Sequence, residues 1–236
     1  MTDNILPTKW PTPHTLLAKF RSRAKGTTSL KPQGAGGVRI LGHREYVGGL
    51  WDEIGKLQFN YLVHQGLRPE HYLLDIACGS LRAGVHFIPY LEPRHYLGMD
   101  KESSLIEAGM DRELSKEIFN AKKPELVVSN TFEFTKFSTM PHFALAQSLF
   151  THLPPNMITD CFHKLRNSIR EEGVFYATYL EAAAERENPP EPHDHGYFGY
   201  TREQMCQFGK STGWRFDYLG DWSHPRQQVM TRYFPV

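Results

Sequence analysis

The stretch Leu73-Leu74-Asp75-Ile76-Ala77-Cys78-Gly79-Ser80 decides the fold of this 236-residue chain. Its first half is a short apolar run that closes on an acid, the pattern of a buried strand. Its second half is a run of small residues suited to a tight turn. Further on, Tyr96-Leu97-Gly98-Met99-Asp100 repeats the pattern and again ends in an acid. Two parallel strands joined by a helix, with polar groups at their carboxyl ends, form a crevice for a nucleoside.

The flanking sequence supports that frame. Ile54, Leu57, Tyr61 and Leu62 recur at helical spacing and predict a helix over 51–65, which Gly66 ends. Strands expected at 72–77, 95–99, 125–129, 143–148 and 174–179 alternate with helices. These helices span 84–91 and 102–119, and a third is opened by Pro154-Pro155. Strands separated this way give a parallel sheet with right-handed crossovers. The rhythm breaks after a loop at 182–200 and a helix at 201–212. Two strand-like runs, 215–219 and 228–234, are too close together for a helical crossover and should pair antiparallel. The expectation is an α/β, Rossmann-like doubly wound, mostly parallel seven-stranded sheet with a C-terminal antiparallel hairpin.

Forty per cent of the residues are hydrophobic and 13% aromatic, enough for a sizeable core, which excludes global disorder. Charge is unevenly spread. Residues 1–44 hold eight Lys or Arg against the single acid Asp3, although the whole chain is nearly neutral at +1. With Pro7, Pro11, Pro13, Pro32 and Gly34-Ala35-Gly36-Gly37, residues 1–37 read as a basic flexible N-terminal arm and linker. The arm is either a solvated extension or a contact for nucleic acid, an anionic membrane or a targeting receptor. No apolar run reaches the ~7–15 residues of a signal-peptide core or the ~20 of a membrane span. Cys78, Cys161 and Cys206 lack CxxC spacing and read as reduced thiols of a cytoplasmic protein.

The turn narrows the ligand. A dinucleotide site wants G-x-G-x-x-G, whereas Ala77-Cys78-Gly79-Ser80-Leu81 has one glycine where the first two should fall. Asp75 would repel a diphosphate and suits a cationic group such as an amino-acid ammonium. Asp100 can accept both hydroxyls of a ribose. An ammonium, a ribose and no phosphate describe S-adenosyl-L-methionine.

On these residues the chain resembles the class I S-adenosylmethionine-dependent methyltransferases. Asp75 to Ser80 looks like their first motif and Asp100 like the acid of their second. Gln147-Ser148-Leu149-Phe150-Thr151-His152-Leu153-Pro154 resembles the segment after their fourth strand. Cys78-Gly79-Ser80-Leu81-Arg82 and Trp222-Ser223-His224-Pro225-Arg226 look like a bacterial small-molecule or glycan subgroup. The resemblance covers roughly 45–236 and implies a methyltransferase domain over 38–236. It implies a cofactor site of Asp75, Ala77, Cys78, Gly79, Ser80, Asp100, Lys101 and Gln147, with Asn130, Thr131 and Phe132 as the adenine wall. Two family glycines are replaced, by Ala77 and Leu81; alanine costs little if φ there is negative.

Methyl transfer to oxygen or nitrogen can require a base. His152, just past the fourth strand, is the candidate, or else it orders its own turn. Tyr46, Trp51, His195, Tyr200 and Arg226 are candidate acceptor contacts. His193-Asp194-His195 reads as a lid or a surface loop, and as a metal site it lacks a third ligand. Arg82 belongs near the cofactor carboxylate or on a helix surface. Cys78 reads as a small apolar turn residue. The leading function is methyl transfer from S-adenosyl-L-methionine to a small-molecule or sugar acceptor, at oxygen. The alternatives are a nucleic acid methyltransferase steered by the basic arm, and a non-catalytic nucleoside-binding or protein-interaction module. A nicotinamide-dependent oxidoreductase comes last, because of the glycine count.

Overall fold

The computed structural model describes residues 31–236. The readings of the basic arm therefore lie outside the described residues, apart from 31–37. Strands β1 (Leu73–Ile76), β2 (Tyr96–Asp100), β3 (Glu125–Val128), β4 (Phe143–Ala146) and β5 (Val174–Glu181) are parallel. The strands β7 (Trp214–Asp221) and β8 (Val229–Pro235) form the antiparallel hairpin, with β8 against β5. The order β3-β2-β1-β4-β5-β8-β7 places the central pair β1 and β4 side by side. The strand order reverses there between the two halves, so a crevice opens at their carboxyl ends.

The sheet is doubly covered because its central strands are apolar on both faces: β1, β2 and β4 are buried throughout. One face packs Leu74, Ile76, Leu97, Met99, Ala144 and Phe162 together. The other packs Leu73, Leu81, Phe87, Tyr96, Leu145 and Tyr176. Helices α1 (Gly34–Leu41), α2 (His43–Tyr46), α3 (Trp51–His64), α4 (Gly84–Tyr90), α5 (Ser103–Arg112), α6 (Lys116–Lys122), α7 (Pro155–Arg166) and α8 (Arg202–Lys210) complete the described part.

Three expectations are corrected. Gly34 to Gly37, read as linker, form the first turn of α1, because Val38 buries against Leu105 and Tyr46. The single helix expected over 102–119 is two. Ser115 interrupts it by capping α6, its hydroxyl accepting the Ile118 amide at 3.2 Å. Within the loop expected over 182–200, Gly199–Tyr200 form an eighth short strand, β6, parallel to β5.

Candidate active site

The turn after β1 is built on left-handed backbone. Ala77, Gly79 and Leu81 have φ of 62°, 57° and 66°. The condition under which alanine would cost little at position 77, a negative φ, is not met; both replaced glycines keep a glycine-like conformation and carry a Cβ in it. Leu81 is tolerated because its side chain is wholly buried beside Gly84 and Gly109. At Gly79 a Cβ would sit 2.9 Å from Cγ1 of Val47, so the α2–α3 loop presses directly onto the turn. Cys78 is buried with its sulfur toward Gly98, and burial pushes the thiol pKa well up, so it is no nucleophile.

Asp100 closes β2 and organises its surroundings. One carboxylate oxygen accepts the Gly79 amide and the other the Glu102 amide, both at 2.9 Å. Burial pushes its pKa up, against the pull of these amides. A carboxylate offers about four acceptor positions, so the two oxygens retain capacity for two more donors. The Asp100 carbonyl also accepts the Ser129 amide, tying the turn after β3 to the site. In that turn Asn130 and Thr131 are exposed, while Phe132 is buried at φ 55° and stacked on Phe134.

Asp75 lies one residue inside the end of β1, 3% exposed. The Tyr96 hydroxyl donates to one of its oxygens at 2.7 Å, and the other makes no hydrogen bond among the described residues. Burial raises its pKa to about 6. Beside it Ser80 Oγ is buried without a partner. A buried acid with one unbonded oxygen, an orphaned hydroxyl, a glycine with no room for a Cβ and an Asp100 with spare acceptors fit a nucleoside carrying an ammonium.

His152 follows β4. Its Nδ1 donates to the His193 carbonyl at 3.1 Å, which fixes the tautomer and leaves Nε2 as a lone-pair nitrogen. Burial pulls its pKa down to about 4, so the ring is neutral at physiological pH. The loop following β5 lies beside it: Phe198 donates its amide to the Thr151 carbonyl and His193 donates to that of His152.

The residue that joins these parts, Asp194, was not singled out from sequence. Its carboxylate accepts the Tyr46 hydroxyl, the Lys101 ammonium and the Gly34 amide. Burial alone would raise its pKa, but the bonds from Lys101, Tyr46 and Gly34 outweigh it and hold the carboxyl at about 2. His195 packs edge-on against Tyr46 and donates Nε2–H to the Pro32 carbonyl at 3.1 Å. Lys101, Tyr46 and His195 therefore latch the 193–195 loop to the start of α1. Lys101, expected at the cofactor, and Tyr46 and His195, expected at the acceptor, all place polar atoms in this latch.

Two other expected acceptor contacts are structural. Tyr200 is wholly buried, its hydroxyl donating to the Leu153 carbonyl at 2.5 Å. Trp51 is buried against His43 and under the Arg44 guanidinium, and both of these residues bind Glu113 at the end of α5. Aromatic side chains at such spacing pack first, and nothing in the sequence distinguishes the two fates.

Gln147, Arg82 and Arg226 do come together. Arg82 lies 9% exposed and donates to Gln147 Oε1 at 2.8 Å and to the Val47 and Gly49 carbonyls. Arg226, in the β7–β8 connector, donates to the Gly48 carbonyl. Gln147 Nε2 lies 3.2 Å from His224 Nε2. Arg82 is thus turned into the crevice and not onto a helix surface. Among the described residues no cluster of His, Cys, Asp and Glu could hold a metal ion. No described helix is long and apolar enough to cross a membrane.

The fold has known counterparts. The magnesium protoporphyrin IX methyltransferase ChlM from Synechocystis PCC 6803 superposes with a TM-score of 0.61 at 10% identity, over 97% of this chain and all of that one. The CcbJ methyltransferase from Streptomyces caelestis gives 0.60 at 12% identity, over 77% and 89%. The glycopeptide N-methyltransferase MtfA, complexed with S-adenosylmethionine, gives 0.58 at 12%, over 77% and 94%. No family model and no curated protein sequence matches the chain. The fold is that of the class I S-adenosylmethionine-dependent methyltransferases.

Proposed function

We propose that this chain is an S-adenosyl-L-methionine-dependent methyltransferase acting on a small-molecule or glycan acceptor, at oxygen. The observation that carries the reading is the pair of buried acids around the left-handed turn. Asp100 keeps spare acceptors for ribose hydroxyls. Asp75 keeps an oxygen with no partner, poised for an ammonium. Solved structures of this fold hold S-adenosylmethionine or S-adenosylhomocysteine.

When bound, the cofactor supplies a methyl group on a sulfonium, which leaves by in-line displacement. The chain's contribution is positioning and desolvation. Arg82, turned into the crevice, suits the methionine carboxylate as a charge-assisted donor. The backbone of 77–80 lines the methionine side, and the 129–132 turn stands where adenine would rest. His152 is the base: its Nδ1–H is held by a carbonyl and Nε2 is open to receive the acceptor's proton.

Isothermal titration with S-adenosylmethionine and S-adenosylhomocysteine tests the reading, followed by mass spectrometry of an acceptor panel for a methyl increment. Absence of any nucleoside binding refutes it. Binding without turnover over a broad panel leaves the non-catalytic module as the function. Methylation of nucleic acid that is lost on removing residues 1–30 makes the basic arm a steering element of a nucleic acid enzyme.

A further inference from the structure

At the carboxyl edge of β1 and β4 lies a polar cluster rich in donors and poor in acceptors. Arg82 and Arg226 bring two guanidiniums to it, and neither meets a carboxylate among the described residues. Their acceptors are neutral: Gln147 Oε1 and the three consecutive carbonyls of Val47, Gly48 and Gly49. Because Arg82 takes Gln147 Oε1, the Gln147 amide aims its N–H groups at His224 Nε2 and Gln228 Oε1. The Arg226 backbone N–H faces the other ring nitrogen, Nδ1, at 3.2 Å. A neutral imidazole carries one N–H, and here both ring nitrogens face donors. Burial and the two arginines also keep His224 from taking a second proton, its pKa falling to about 4.

Groups of one sign gathered in a half-dry site call for the opposite sign. The cofactor's carboxylate answers one guanidinium, and Arg82 is the more buried and nearer the turn. Arg226 is left facing only the Gly48 carbonyl, on a loop whose Gly48 and Gly49 sit at φ 100° and 64°. A Cβ at Gly48 would lie 2.7 Å from an Arg226 guanidinium nitrogen, so the residue there must be glycine for the arginine to lie down on the loop. On the other side, His224 and Gln228 line a cavity with Asp221, Ser223 and Gln227.

We propose that Arg226, with His224 beside it, binds an anionic group on the methyl acceptor, a carboxylate or a phosphate, in exchange for the Gly48 carbonyl. The inference rests on the methyltransferase reading above and names the acceptor's chemical class. Arg226 is a binding and specificity residue.

The test uses the full chain saturated with S-adenosylhomocysteine. Inorganic phosphate, succinate and, at matched ionic strength, chloride are titrated while the thermal midpoint is followed. Phosphate or succinate should raise the midpoint saturably and chloride should not; which of the two acts tells phosphate from carboxylate. Arg226→Gln should weaken that response about tenfold and leave S-adenosylhomocysteine affinity within twofold. If neither anion exceeds chloride, or Arg226→Gln responds like the native chain, the proposal is wrong. If Arg226→Gln instead loses S-adenosylhomocysteine, Arg226 serves the cofactor's carboxylate and the proposal is equally overturned. Should the variant not fold, phenylglyoxal modification of Arg226 in the native chain, read by peptide mass spectrometry, must be slowed by the effective anion; unchanged modification refutes the site. A chain that binds no S-adenosylhomocysteine fails the methyltransferase reading, while the anion titration without it still scores Arg226.

Discussion

Leu81 and Gly109 are complementary: a Cβ on Gly109 would lie 2.8 Å from Leu81 Cγ and equally close to the Ser80 backbone. The turn could exchange a glycine for leucine because α5 presents a glycine to it. In an exposed helix Gly→Ala gains up to ~1 kcal/mol. Here Gly109→Ala should instead destabilise by roughly 1–3 kcal/mol through overpacking, measured by urea unfolding.

The two left-handed replacements should respond oppositely to glycine. Ala77 pays ~1–2 kcal/mol for its Cβ in this conformation, partly offset by the entropy glycine adds to the unfolded chain. Ala77→Gly should therefore raise stability by up to about 1 kcal/mol. Leu81→Gly removes a wholly buried side chain and should lower stability by ~2–5 kcal/mol. The two midpoints in one denaturant series check both signs.

Asp75 gives a pH signature. Its folded pKa, about 6, lies above the ordinary 3.8, so folding favours the protonated acid. Its contribution is complete below pH 3.8 and is lost as pH rises through about 6. That gap corresponds to roughly 3 kcal/mol at pH 8. In ligand-free protein, Asp75→Asn should remove this loss, since Asn can still accept the Tyr96 hydroxyl. Cofactor affinity should show the reverse, strengthening above pH 6 in the native chain and flat in Asp75→Asn by titration calorimetry.

His152 is neutral over the working range, its pKa near 4 lying below the usual 6.5. Turnover should thus show no acid limb from this residue until pH falls toward 4–5. His152→Ala should lower kcat by about 10²–10⁴-fold and leave S-adenosylhomocysteine affinity unchanged. An unaltered kcat removes its role as base.

Asp194→Asn should open the latch, since the amide keeps one acceptor but loses the ion pair with Lys101. The loss of about 1–3 kcal/mol falls on the local closure of the 193–195 loop. Faster amide exchange across 186–198, with the global midpoint little changed, is the expected result. Below pH 4 the native chain should approach the variant as the carboxyl begins to titrate toward about 2.

Much of the fold was readable from local pattern. The runs that became β1, β2 and β4 are short, apolar and bounded by turn residues, and burial on both faces leaves no other reading. The C-terminal hairpin followed from a connector too short to cross the sheet. Asp75, Asp100 and Gln147 were legible because an acid or amide at a strand's carboxyl end has one crevice to face. Trp51 and Tyr200 are buried in packing, and an aromatic that packs and one that binds have the same sequence signature. Asp194 was read only as part of a loop, since its partners Gly34, Tyr46 and Lys101 come from three distant places.

The sequence by itself determined the parallel strands, the antiparallel C-terminal hairpin and the acids at the strand ends, because hydrophobic period and connection length act locally. Only the tertiary structure decided the rest. It put Ala77 and Leu81 in left-handed backbone, with Gly84 and Gly109 making the space for the Leu81 side chain. It drew Tyr46 and Lys101 onto the Asp194 carboxylate and His195 onto Tyr46 and the Pro32 carbonyl, a latch of segments distant in sequence. It also gathered Arg82, Arg226 and His224 with no carboxylate bonded to either guanidinium, a cluster that forms only when segments more than a hundred residues apart meet.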